Sequence, residues 1–314
     1  MDWRDEERLP VSTERVEKAW QSKGLQGYST EAILGTLGHY GVSVVEADFR
    51  KLAETGWPQD IALEWGKKWK GTGPFKPFYY AAAEELWRRW VPERLAPPEF
   101  AVALAELMAA LTSLISGKQD APVQAAFDRM KAVRQRMPLD EKGQPQLAFV
   151  ERALGGFDEK VAEMFDSMAE VLAKTGHTAH ADAFAEFEEF LLPDRRGIAT
   201  SIVRANKGER DPALAELEAV SVDTSRTPIS RLLAVDALIH LGAWPQAVAR
   251  ARPMMQQAEK DGDIHLAIDL CARLEHVYKA TGDRAGLQDL SSDAARLNEM
   301  HDRMHPGHRH RHGR

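Results

Sequence analysis

The sequence predicts an all-α protein, and three features carry that reading. Apolar residues recur at intervals of three and four over most of the 314 residues, the spacing that builds one buried helix face. No run alternates strictly between apolar and polar residues with the β-branched enrichment that a half-buried strand requires. Alanine-rich segments such as Tyr80–Trp90 add intrinsic helix propensity. About fifteen helices are expected, joined by short turns that make neighbours antiparallel.

The elements follow in chain order. Ser29 stands where a side chain can accept from the free N–H groups of a helix start. Ser43 with Glu46 has the reciprocal spacing of a capping box. Pro58, after Trp57, opens a further helix, because the first turn has no use for the N–H that proline lacks. In Pro98–Gly117, Phe100, Val102, Leu104, Leu107, Met108, Leu111 and Leu114 form one stripe. Asp158–Gly176 repeats it with Val161, Met164, Phe165, Met168, Val171 and Leu172, then stops at a glycine suited to a helix C-terminus. Arg231–Gly242, Ala247–Ala258, His265–Gly282 and Ala285–Leu297 continue the pattern, with Pro245 again close to a helix start.

Two proline-containing breaks interrupt this order, Val91–Pro98 and Pro138–Pro145. Seven of the eight tryptophans precede the first break and only Trp244 follows it, so the main boundary is placed there. The expected organisation is an aromatic-rich helical region over 1–95, a repeat-like helical region over 96–300 and a disordered His/Arg-rich tail over 301–314. With 44% hydrophobic and 28% charged residues, collagen-like and wholly disordered classes are excluded. A net charge of −7 argues against a protein built around nucleic-acid phosphates. No apolar run approaches the roughly 18 to 20 residues of a membrane span. The opening MDWRDEERLP is acidic where a signal peptide is basic. A soluble, cytoplasmic protein with no membrane partner is expected.

The C-terminal third contains an internal pattern. Counting from Gly242, Trp244, Ala247 and Ala251 fall two, five and nine residues later. Counting back from Gly282, Tyr278 and Leu274 fall four and eight residues earlier. Gly176, with Leu172 before it and Ala181 after it, offers a third instance. On these residues Arg231–Leu297 resembles two degenerate tetratricopeptide-like helix pairs. The early Trp, the Leu-Gly pair and the terminal Pro of that motif are missing, and Gly242 and Gly282 stand 40 residues apart where the family unit has 34. The resemblance implies a solenoid, an α-α superhelix of antiparallel helix hairpins, with a concave face for a protein segment. It brings no catalytic residues and no cofactor.

The residues themselves offer no catalytic constellation. Lys70–Lys76 (KGTGPFK) has two glycines between lysines but lacks the P-loop spacing and follows a helix. None of the histidines tested as the second member of a Glu-x-x-His pair has glutamate three residues earlier, so a di-iron bundle finds no ligands. His177 and His180, near Asp182 and Glu186, have half of a zinc spacing but sit at a helix junction, where polar residues are ordinary. Cys271 falls at an apolar helix position and reads as a packed, inert thiol. In the tail, His308, His310 and His312 alternate and could chelate Zn²⁺, Ni²⁺ or Cu²⁺.

Charge is the more informative signal. Between Asp158 and Leu192 there are nine acids against two bases. Glu163, Asp166, Glu170, Glu186 and Glu189 are therefore candidate docking residues for a basic protein partner; the alternative is a solvated outer face. Opposite in sign, Lys67, Lys68, Lys70, Lys76, Arg88 and Arg89 lie among Trp65, Trp69, Phe75, Phe78, Tyr79, Tyr80, Trp87 and Trp90. Such a patch suits single-stranded nucleic acid, yet the spacing of the tryptophans suits a core. The functional expectation is a non-catalytic scaffold or adaptor that binds a protein segment in a helical groove. A nucleic-acid-associated regulator, with Ser29–Lys51 as a helix-turn-helix, is the alternative; Glu46 and Asp48 oppose it by placing acids early on the recognition helix. A helical enzyme with a site assembled from scattered residues is the second alternative.

Overall fold

The computed structural model describes residues 20–21, 24–71, 77–118, 122–155 and 159–304, with side chains from 163 onward in the last of these spans. Helix accounts for 76% of the structure, in fifteen α-helices, and there are no strands among the described residues. The nearest approach to strand pairing is an isolated bridge between Leu139 and Pro145, which closes the second proline-containing break. There Asp140 Oδ1 accepts from Lys142 N and Gln144 N at 2.9 and 2.8 Å.

Two compact units divide the chain, Met1–Phe157 and Asp158–Arg314. The first contains α1 (Thr30–His39), α2 (Glu46–Thr55), α3 (Pro58–Gly66), α4 (Phe78–Trp90), α5 (Pro97–Ile115), α6 (Val123–Arg134) and α7 (Leu147–Leu154). Ser29 caps α1 as expected, accepting from Ala32 N at 3.2 Å. Ser43 does not cap α2: the N-cap is Val45, with no side-chain bond, and the helix begins at Glu46. Glu46 instead pairs forward with Arg50 at 2.9 Å, so the reciprocal arrangement never closes.

Aromatic rings hold this unit together. Phe49 meets Trp65, Trp87 and Trp90 with ring centroids 5.9, 6.3 and 5.3 Å apart. Phe149 on α7 meets Trp57 at 5.4 Å and Phe100 on α5 at 5.7 Å, both edge to face. These contacts run across the proline-containing stretch 91–98, where the sequence placed the main boundary. Val91, Leu95 and Ala96 within that stretch are buried, and Leu95 N donates to Arg136 O at 3.3 Å. The prolines turn the chain inside a compact unit, and the unit boundary falls some 60 residues later. By length and composition α5 is apolar enough to cross a membrane, but Phe100, Leu104, Leu107 and Leu111 are spent on the core.

The second unit contains α8 (Glu159–Lys174), α9 (Thr178–Leu191), a 3₁₀ turn at Pro193–Arg195, α10 (Ile198–Asn206), α11 (Arg210–Val222), α12 (Pro228–His240), α13 (Trp244–Asp261), α14 (Ile264–Thr281) and α15 (Arg284–Met304). Five of its junctions use one device. Gly176, Gly208, Gly242, Gly262 and Gly282 all have φ between 67° and 96°, the left-handed region in which a Cβ is strained. The N–H after each glycine donates back to the carbonyl four residues before it, on Leu172, Arg204, Leu238, Ala258 and Tyr278, at 2.8–3.0 Å. Five residues after the first four glycines stand Ala181, Ala213, Ala247 and Ala267, all fully or almost fully buried. Their small side chains let the paired helices come close. In the last hairpin a glycine serves that end: a Cβ on Gly286 would meet the Tyr278 ring at 2.7 Å.

Gly242 and Gly282 thus lie in turns, and Ala247, Ala251 and Tyr278 pack inward. The long interval between those glycines comes from α13 and α14, each of 18 residues, with Gly262 as the turn between them. Helix α15 runs on to Met304, past the expected start of the tail at 301, with an Arg303–Glu299 pair at 2.5 Å on its last turn. Neighbouring helices pack on each other, and α8, α10, α12 and α14 also touch in succession, forming a row of alternate helices.

Candidate functional site

A cleft of about 430 Å³ opens along that row. Its apolar walls come from Ala169 on α8, Ile198, Ala199 and Ile202 on α10, and Leu233 and Ala237 on α12. Its titratable groups are Glu163, Asp166 and Glu170 on α8, Glu188 on α9, Arg195 on the 3₁₀ turn, Asp236 and His240 on α12, and Arg273 on α14. Helix periodicity explains the assembly. Glu163, Asp166 and Glu170 are three and four residues apart and so share a face, as do Leu233, Asp236, Ala237 and His240.

Most of the charge is internally paired. Asp166 accepts from Arg195 at 2.6 Å. Asp236 holds Arg273 through two bonds, at 2.5 and 2.9 Å, in the fork geometry that carboxylate and guanidinium favour. Glu170 pairs with Lys174 and lies 3.2 Å from His240 Nδ1. The bond to His240 is the main influence holding the Glu170 carboxyl down at about 2; burial opposes it and Lys174 assists. The same bond raises the His240 imidazole above its ordinary value.

Glu188 is different. Its side chain is 5% exposed and its Oε2 accepts no hydrogen bond. Burial pushes this carboxyl up to about 8; Asp166 adds to the shift, Arg195 opposes it and Glu189 adds a smaller part. A carboxyl with such a value is largely neutral at pH 7.

Of the acids singled out from sequence, Glu163, Asp166 and Glu170 line the cleft, and Glu186 is exposed on α9 outside its lining. Glu189 is buried, its Oε1 accepting from Thr200 N and Oγ1 at 2.9 and 2.8 Å, so it ties α9 to α10. His308, His310 and His312 lie outside the described residues. His177 and His180 have ring centroids 6.4 Å apart, and Asp182 pairs with Lys207 at 3.0 Å. Among the described residues no group of three or more His, Cys, Asp or Glu converges on a point that could hold a metal ion. Cys271 is buried, and burial raises its thiol above the usual range.

Sequence reasoning passed over Glu188, Arg195, Asp236, His240 and Arg273. For Glu188 a signal existed: Phe184, Phe187 and Leu191 are all buried and place position 188 on the core face of α9, where an acid is out of place.

Much of the aromatic patch of the first unit is core. Trp65, Phe78, Trp87 and Trp90 are buried, and Trp69 stacks on Phe78 at 6.0 Å. Arg89 is turned inward to Glu85, Thr30 Oγ1 and the carbonyls of Leu25 and Tyr28. Those four buried rings are not available to stack on bases, Trp69, Tyr79 and Tyr80 are half-buried, and Phe75 and Lys76 lie outside the described residues. For the helix-turn-helix reading, α1 packs chiefly on α4 and α2 on α3.

No family model matches the chain, and neither the curated proteins nor the solved structures include a match to it.

Proposed function

We propose that this protein is a non-catalytic interaction scaffold that binds a segment of another protein in the cleft along α8, α10, α12 and α14. The observation that carries the reading is the cleft itself: apolar walls at Ile198, Ile202 and Leu233 within a rim of charged groups. An amphipathic helical segment would bury its stripe on those walls, and the rim would select among partners and set the rate of encounter. The glycine-alanine hairpins support the finer reading of a tetratricopeptide-like solenoid, whose hairpins would present such a face.

The test uses helical peptides selected by display against the intact protein. Leu233→Trp fills the cleft while keeping its wall apolar. It is expected to weaken the selected peptides by about tenfold or more, the loss typical of an occluded anchor. Circular dichroism should be unchanged. Peptides that bind the filled variant as well as the natural protein would overturn the reading.

A further inference from the structure

Three carboxylates of the cleft already hold cations: Asp166 holds Arg195, Asp236 holds Arg273, and Glu170 holds Lys174. Glu188 lines the same cleft with its carboxyl free of hydrogen bonds and Oε2 closed to solvent, at a helix position whose neighbours by phase are Phe184, Phe187 and Leu191. A buried carboxyl with an unfilled acceptor costs free energy, and folding alone does not recover it. A ligand in the cleft carrying a donor to the Glu188 carboxyl would.

The surroundings specify the donor. Ile198, Ile202 and Leu233 offer aliphatic wall, so the ligand needs an apolar stem as well as a polar end. A lysine side chain has both, with four methylenes to lie on the wall and an ammonium at the tip. We infer that Glu188 anchors a lysine ammonium presented by the protein segment that occupies the cleft, an assignment that rests on the scaffold reading above.

Docking then moves a proton. The neutral acid, with its value raised to about 8, becomes a carboxylate when the ammonium arrives. The proton leaves to solvent, and about one is released per complex at pH 7. The charged groups facing Glu188 are Glu163, Asp166 and Glu170 from α8, Glu189 on its own helix and Arg195 from the 3₁₀ turn. Asp236 and His240 from α12 and Arg273 from α14 complete them. The His240 imidazole, raised by its bond to Glu170, also carries an exchangeable proton, so His240→Gln separates its protons from those of Glu188.

The experiment takes display-selected peptides that Leu233→Trp blocks and replaces each of their lysines by norleucine. One replacement should weaken binding to the natural protein by about thirtyfold, the effect of truncating one partner of a buried charge pair. The same replacement should change binding to Glu188→Gln by less than about threefold. Blocked peptides that need no lysine, or an equal loss on both proteins, would overturn the assignment and leave the scaffold reading standing. If Leu233→Trp blocks no selected peptide, both fall. Should Glu188→Gln fail to fold, calorimetry of the natural protein and His240→Gln at pH 7 decides, in buffers of different ionisation enthalpy. Release of about one proton by both supports the assignment, and release of none overturns it.

Discussion

In the N-terminal unit, Phe49 meets Trp87 and Phe149 meets Trp57 edge to face, Trp57 and Trp87 lie tilted on each other, and the Arg94 guanidinium lies 5.1 and 5.4 Å from the Trp57 and Trp87 ring centroids. In the C-terminal unit, Ala181, Ala213, Ala247 and Ala267 recur five residues after left-handed glycines, and no tryptophan is fully buried. Large rings fill space at singular points, so the first unit concentrates its stability in a few contacts. Small residues at regular turns spread it over many near-equivalent ones and leave an open row of helices. Both units have clefts, one of about 450 Å³ lying between α5 and α6, and what marks the cleft of the second unit is a buried carboxyl, Glu188, whose Oε2 is unbonded.

The largest expected effect comes from Trp87→Ala. It empties a fully buried ring site and leaves Arg94 O without the indole donor at 2.9 Å. A loss of about 3–5 kcal/mol is expected in urea denaturation. Hydrogen exchange should place it within residues 24–155. Equal loss of protection in both units would break the contrast.

Overpacking is the matching test of the second unit. Ala213→Leu and Ala267→Leu push a larger side chain into close helix contacts, and each should cost about 1–3 kcal/mol. If thermal midpoints are unchanged, small residues are not what sets those helix distances.

A pH titration probes the cleft. Glu170 titrates at about 2 in the folded chain, below its ordinary 4.5. Its contribution is therefore complete above the unfolded value and lost as pH falls towards the folded one. Between pH 5 and pH 2, Glu170→Gln should flatten the decline in stability by about 1–2 kcal/mol, after allowance for solvent screening. An unchanged acid limb would remove the Glu170–His240 pair as a stabilising feature.

The smallest effect sharpens the comparison most directly, because one substitution should have opposite signs in the two units. Gly262 has φ +80° with open space around its Cβ direction, so Gly262→Ala carries backbone strain alone and should cost about 1 kcal/mol. Gly35 lies inside α1, also with open space and no positive φ, and Gly35→Ala should stabilise by about 0.5–1 kcal/mol. Two changes of the same sign would mean that the turn glycine is not held by its conformation.

Local rules suffice for the class and for many boundaries. The three-and-four periodicity yields an all-helical chain, Ser29 caps α1, and Pro58 opens α3, because each depends on residues within one or two turns. The hairpin glycines were partly legible for the same reason. Gly176, Gly242 and Gly282 show a recognisable neighbourhood, while Gly208 and Gly262 were hidden by Arg204 and Ala258 at the position where the others have Leu or Tyr. The unit boundary and the cleft were not legible. A proline cluster looks the same whether it links two units or turns inside one, and Trp57–Phe149 spans 92 positions. Likewise, composition identified Glu163, Asp166 and Glu170 as part of an acidic run. Only packing assigns Arg195 to Asp166, Arg273 to Asp236 and His240 to Glu170, and only packing leaves Glu188 buried without a bond to Oε2. Charge is a property of the residue, but desolvation and pairing belong to the neighbours that tertiary structure supplies.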